Sequence, residues 1–335
     1  MRENLVNVLL PMKYLYLMLI LTVGWVLYSC SVQDRQYEDL DWSDFEESIV
    51  YHGPYKIGEA QWRDTHLDYL TKLASGEQEG FEDLFADTVR VVIFDGQSFT
   101  FTPEETVEWM LEWRERWTHV QYEPIAVVPV TNEEGAQTTH TFLKGWHKSA
   151  GGQLISQYIN QLVNLQDGKI STIRHFYREL DPLEVPEEFE NRFDEHGRLV
   201  VEYDQPYEIG RLSLIEQSRL MIESFEDRNA DGAFEFIRPD HFTVFTSTGR
   251  ILNGPPGEVL ENMFERDELR YPEMKIRPWA VIPIYHPESG AERVLYYSFD
   301  SYGRGESRDI DFVLRLIRFE EGLVEEMEVY RYRVR

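Results

Sequence analysis

Cysteine is almost absent from this chain: Cys30 is the only one. No cysteine pair can brace the residues that follow it, so stability has to come from packed cores. Basic residues are scarce as well, with 33 Lys and Arg against 61 Asp and Glu and a formal net charge of −28. That balance excludes a nucleic-acid binder, which needs basic stripes, and electrostatic adhesion to anionic lipid. No long apolar run is present. The stretch Tyr14 to Tyr28 falls short of the roughly 20 residues that span a bilayer. The nine histidines form no HxxxH or HxH pair, so a local zinc motif is missing. A Gly-rich phosphate loop and a GxSxG nucleophile turn are missing too. Neither a metal nor a cofactor is expected. What the chain does have is apolar material, 42% hydrophobic and 14% aromatic, and a length that suggests about two domains.

The lone cysteine closes an N-terminal pattern. Arg2 and Lys13 supply a basic leader, Tyr14 to Tyr28 an uncharged apolar run, and Ser29 a small residue directly before Cys30. This predicts a lipoprotein signal peptide over 1–29, with Cys30 lipidated after cleavage. Tyr28 departs from the strictest form of that cleavage motif. Several acyl chains on one cysteine hold a protein stably at a membrane. The expected location is therefore the bacterial envelope, lipid-anchored. Ser31, rather than an acidic residue, follows Cys30, and by resemblance to Gram-negative sorting this favours the outer membrane. Residues 30–50 are acidic and aperiodic and read as a tether.

The remainder repeats itself. Tyr51-His-Gly-Pro-Tyr-Lys-Ile-Gly58 parallels Tyr203-Asp-Gln-Pro-Tyr-Glu-Ile-Gly210. Pro124-Ile-Ala-Val-Val-Pro-Val130 parallels Pro278-Trp-Ala-Val-Ile-Pro-Ile284, and Asp167-Gly-Lys-Ile170 parallels Glu321-Gly-Leu-Val324. The matches keep their order at a nearly constant offset, which predicts two copies of one unit, over 51–182 and 203–335, with 183–202 as a linker. Each copy reads as helix, short helix, short strands, helix, then four long β runs. Thr102-Pro-Glu-Glu105 is a capping box with Pro at the first helical position. The order is α+β, with a curved antiparallel sheet wrapped on helices.

Asn229-Ala-Asp-Gly-Ala-Phe followed by Arg238-Pro-Asp-His-Phe-Thr-Val244, and Phe81-Glu-Asp-Leu-Phe-Ala-Asp-Thr-Val89 in the first copy, resemble SnoaL-like domains of the nuclear-transport-factor-2-like superfamily. The resemblance implies two cone-shaped, cystatin-like domains, each with a pocket between sheet and helices. It leaves function open, because such folds host both enzymes and pure binding modules. Asp227-Arg-Asn-Ala-Asp-Gly232 also looks like the start of a calcium loop, but the twelfth position is Arg238, where a bidentate Glu is needed.

Comparing the copies gives candidate site residues. Ile310, Phe312, Leu314 and Leu316 alternate along their strand, and the apolar set is expected to face inwards. The first copy places Tyr158 and Asn160 where the second has Phe312 and Leu314, and His175 where it has Val329. This predicts a polar pocket in the first copy and a filled, structural second copy. Trp146, His147 and Asp95 are candidates for its rim. Three readings follow. The chain is a non-enzymatic envelope module binding a small apolar or amphipathic ligand or a partner protein. Alternatively it is a lyase or isomerase with His175 as general base and Tyr158 and Asn160 as oxyanion donors. The third reading is a scaffold whose domains pair sheet to sheet, within the chain or as a homodimer.

Overall fold

The computed structural model describes residues 55–334, apart from 94–96, 180–185, 187, 189, 267–268, 270, 272 and 305–306. The signal peptide, Cys30, the tether and Asp95 lie outside the described residues.

In the N-terminal half the chain runs β1 (Lys56–Ile57), α1 (Ala60–Ser75), a short 3-10 turn (Glu82–Leu84), β2 (Phe85–Val92), β3 (Ser98–Phe101) and α2 (Pro103–Glu115). Four long strands follow: β4 (Trp117–Thr131), β5 (Gln137–Ser149), β6 (Leu154–Gln166) and β7 (Lys169–Glu179). The C-terminal half runs β8 (Glu208–Ile209), α3 (Ser213–Glu226), α4 (Ala230–Phe234), β9 (Phe242–Phe245), β10 (Ile251–Gly254) and α5 (Pro256–Arg266). Its long strands are β11 (Lys275–His286), β12 (Ala291–Arg304), β13 (Ser307–Glu320) and β14 (Leu323–Val334). The fold is α+β and sheet-rich.

Local chemistry explains the boundaries. The Thr102 hydroxyl accepts from the Glu105 N–H while the Glu105 carboxylate accepts from the Thr102 N–H, so the capping box forms. Asn229 caps α4, its side chain accepting from Gly232 N–H. The β6–β7 and β13–β14 hairpins turn at Asp167-Gly168 and Glu321-Gly322, all four residues having positive φ. Two consecutive left-handed residues match the twist of the flanking strands.

All strands belong to one 14-stranded sheet, whose main path is β1-β4-β5-β6-β7-β14-β13-β12-β11-β8. The halves meet where Arg331 of β14 pairs with Tyr177 of β7. Beside that pair, Arg178 bonds Glu328 at 2.9 Å and lies over the rings of Tyr158 and Phe245.

Side chains alternate between faces along each strand, and this sorts the core into layers. Leu70, Val107, Met110, Val163 and Ile173 pack between α1, α2 and β6–β7. Met221, Phe225, Met263, Val313 and Val329 do the same between α3, α5 and β13–β14. The other faces of the two strand sets share a third apolar layer. There Val128, Phe142, Leu162 and Phe176 meet Trp279, Tyr297, Phe312 and Leu314. The Phe176 ring lies 5.4 Å from Phe312 and 5.9 Å from Tyr297. The expected inward apolar set therefore faces this shared layer, and its odd-numbered neighbour Val313 faces the helices.

The end of the expected linker, from Arg198 to Glu202, is docked. Leu199 and Val201 are buried. The Leu199 N–H donates to Thr71 Oγ1, Arg198 pairs with Asp68, and Glu202 and Tyr203 N–H groups bond carbonyls of β4. Burial of two aliphatic side chains and saturation of the backbone hold this segment down.

Candidate functional site

The two halves carry different polar groups on their helix-facing sides. In the N-terminal half, His66 projects from α1 onto the sheet. Its Nδ1 lies 2.6 Å from Thr139 Oγ1 and 3.0 Å from Thr141 Oγ1, and its Nε2 2.9 Å from Gln161 Oε1. Gln161 Nε2 in turn lies 3.3 Å from His175 Nδ1. Nearby, His147 sits within 5.0 to 5.7 Å of the rings of Trp113, Trp117 and Tyr122. In the C-terminal half, Arg315 of β13 forms a buried ion pair with Asp300 of β12 and donates to Ser298 Oγ. Tyr302 donates to Asp311 in the same interior.

The expected pocket of Tyr158, Asn160 and His175 is not assembled. His175 is register partner to Gln161, and Asn160 to Phe176. Adjacent strand residues point to opposite faces, so His175 looks at the helices while Tyr158 and Asn160 look at the shared layer. Asn160 Nδ2 donates to the Thr141 carbonyl, and Asn160 Oδ1 accepts from the Tyr297 hydroxyl of the other half. That hydroxyl also lies 2.8 Å from His140 Nδ1. A general base at His175 with oxyanion donors at Tyr158 and Asn160 is thereby corrected, because a sheet separates them. Trp146 and His147 are consecutive in β5 and split between faces for the same reason. The second copy, expected to be filled and structural, carries the bonded polar groups Arg315, Asp300 and Asp311 in its interior.

Burial, which disfavours charge, is the main cause of low imidazole pKa values here. It pushes His66, His147 and His175 down to about 4 and His140 to about 3. Each is neutral in the fold near pH 7, whereas an unfolded imidazole takes its proton near 6.5. As pH falls through 6.5 the unfolded chain binds protons first, so this contribution is fully present above about 6.5 and is lost towards about 4. Replacing His66 by Gln is expected to flatten stability against pH by about 1.4 kcal/mol per unit in that window. Urea denaturation at several pH values reads it, and an unchanged slope would show that burial does not hold His66 neutral.

A concavity opens to solvent beside the shared layer. It is a cleft of about 300 Å³ whose lining includes Tyr203, Tyr207, His286, Arg293, Arg318 and Phe319. Tyr203 and Tyr207 come from the segment entering β8, His286 ends β11, and Arg293 and Arg318 are register partners on β12 and β13. The Tyr207 and His286 rings are 5.0 Å apart, and Tyr203 meets His286 edge-on at 5.4 Å. His286 and Tyr207 are 2% and 5% exposed. Among the described residues, neither His286 Nε2 nor the Tyr207 hydroxyl has a hydrogen-bond partner. Sequence reading missed this site because its residues come from separated segments. Its one legible sign was the Tyr-rich Tyr203-Asp-Gln-Pro-Tyr207.

No protein-family profile matches the chain, and no curated protein matches it. Among solved structures it is similar to an M. tuberculosis LEH-like epoxide hydrolase at 10% identity, over 35% of this chain and 83% of that one, with TM-score 0.30. A Jannaschia protein described as a SnoaL-like polyketide cyclase shares 19% identity, over 36% and 86%, with TM-score 0.29. An Exiguobacterium NTF2-like protein of unknown function shares 19%, over 34% and 95%, with TM-score 0.28. Likenesses of this size carry no functional argument, which rests on the side chains. Among the described residues no cluster of His, Cys, Asp or Glu is placed to hold a metal ion.

Proposed function

We propose that the chain is a lipid-anchored envelope protein with two SnoaL-like units that binds a small ligand without chemistry, in the cleft beside the shared layer. The observation that carries this reading is the pair of nearly buried polar groups, His286 Nε2 and the Tyr207 hydroxyl, with no partner among the described residues at an open cleft. A buried donor without a partner costs roughly 1–3 kcal/mol, and a ligand that satisfies it recovers that cost. The interior polar groups of both halves bond one another instead, which leaves them as core structure. Lipidation at Cys30 would hold the cleft at the outer membrane, with 31–50 as tether.

The shared apolar layer also supports the scaffold reading, in which the two units pair through their sheets within one chain.

Two measurements test the proposal. Cys30→Ser should move the protein from the membrane fraction to the soluble fraction, and unchanged partitioning would refute the anchor. A panel of small organic acids, amines and neutral amphiphiles should contain compounds that raise the melting temperature by mass action. That rise should shrink in Tyr203→Ala. A panel with no stabiliser, or one whose effect ignores Tyr203, would refute the cleft.

A further inference from the structure

Glu292, Glu320 and Glu321 also line the cleft, Glu292 paired with Arg211 and Glu320 with Arg238. Three other polar groups there can donate. The Ser289 N–H donates to His286 Nδ1 at 3.2 Å, and Ser289 Oγ lies 2.8 Å from the same nitrogen. Nδ1 is therefore the acceptor of the ring, and the proton sits on Nε2. The unpartnered Nε2 is thus a donor. Burial pushes the Tyr207 phenol up to about 12, with Arg293 opposing. Its hydroxyl therefore keeps its proton and can donate. Arg293 makes no hydrogen bond or ion pair among the described residues, although its charge is felt by Tyr207 and Glu326. The other cations around the cleft are engaged: Arg318 with Glu325, Arg211 with Glu292, and Arg238 with Glu320.

Two neutral donors and one guanidinium uncommitted among the described residues therefore line the cleft, beside the aromatic bodies of Tyr203 and Phe319. Resting on the binding reading above, we infer that the cleft takes a small amphipathic carboxylate, with its anionic end on Arg293, Tyr207 and His286 and its apolar body on Tyr203 and Phe319. A planar carboxylate matches a guanidinium fork and accepts several donors at once. The cleft volume is at the small end of pockets that take organic molecules.

The test compares three probes of one shape, benzoate, benzamide and benzylamine, by isothermal titration of the full chain in detergent. Benzoate is expected to bind at least about tenfold more tightly than benzamide, and benzylamine more weakly than both. Arg293→Gln should weaken benzoate by about tenfold or more while leaving benzamide nearly unchanged. Tyr207→Phe, which keeps the ring, should weaken benzoate several-fold. Benzoate binding that is equal in wild type and both variants would overturn the inference. A preference for benzylamine or benzamide that Tyr203→Ala abolishes would overturn the carboxylate and leave the binding reading standing. If none of the three binds, both fall.

Discussion

Asp300→Ala is expected to destabilise the protein by about 3–5 kcal/mol, because it leaves the Arg315 guanidinium buried without its counter-charge. Asp300 and Arg315 are each 2% exposed, and Arg315 also donates to Ser298 Oγ at 2.8 Å. The charge therefore has no route to water. The double replacement Asp300→Leu with Arg315→Met removes both charges and leaves apolar volume in their place. Its expected cost is well below that of the single change, since the attraction of a buried pair roughly offsets its desolvation. Equilibrium urea unfolding of wild type, Asp300→Leu, Arg315→Met and the double variant measures the coupling. If the double variant loses as much as Asp300→Ala, then lost packing, not an uncompensated charge, is the cause.

The second large effect lies in the shared layer. The Phe312 ring touches Trp279 at 5.1 Å, Phe299 at 4.7 Å and, across the layer, Phe176 at 5.4 Å. Phe312→Ala opens a cavity there and is expected to cost about 3–5 kcal/mol. Because this layer belongs to both strand sets, the loss should reach the N-terminal half as well. Native-state hydrogen exchange should show faster exchange in β4–β7 together with β11–β14. Loss of protection confined to β11–β14 would mean that each half holds its stability alone. The same result would remove support for the scaffold reading.

Much of the local structure was legible from side-chain period. The alternation read over Ile310 to Leu316 falls within the observed strand β13. Helix α2 begins at the Pro103 that the capping box marked. These features depend on neighbours within a few residues, so sequence is sufficient for them. Pro and Glu mark the linker, but its docking depends on partners distant in sequence, and Leu199 and Val201 carry it onto the N-terminal half.

The site failed for a different reason. Alternation separates the residues of a strand into two sets but does not say what lies opposite each set. Phe312 and Leu314 were expected to face inwards, and they do, but the interior they face is the layer between the halves. Asp311 and Arg315 belong to the opposite set of the same strand and are charged. Their set also contains Val313 and Ile317, both fully buried, and that mixture was the available sign of a second buried side.

Sequence alone determined the periods, turns and caps, the repeated order of elements, and the expectation that Cys30 anchors the chain, because each depends on short-range stereochemistry or a linear motif. Tertiary structure alone decided which face of each strand is covered by helices and which by the other half. It therefore also decided that His175 and Asn160 lie apart while His286, Tyr207 and Arg293 come together. The physical reason is that burial belongs to a pair of surfaces, and a single strand carries the pattern of only one.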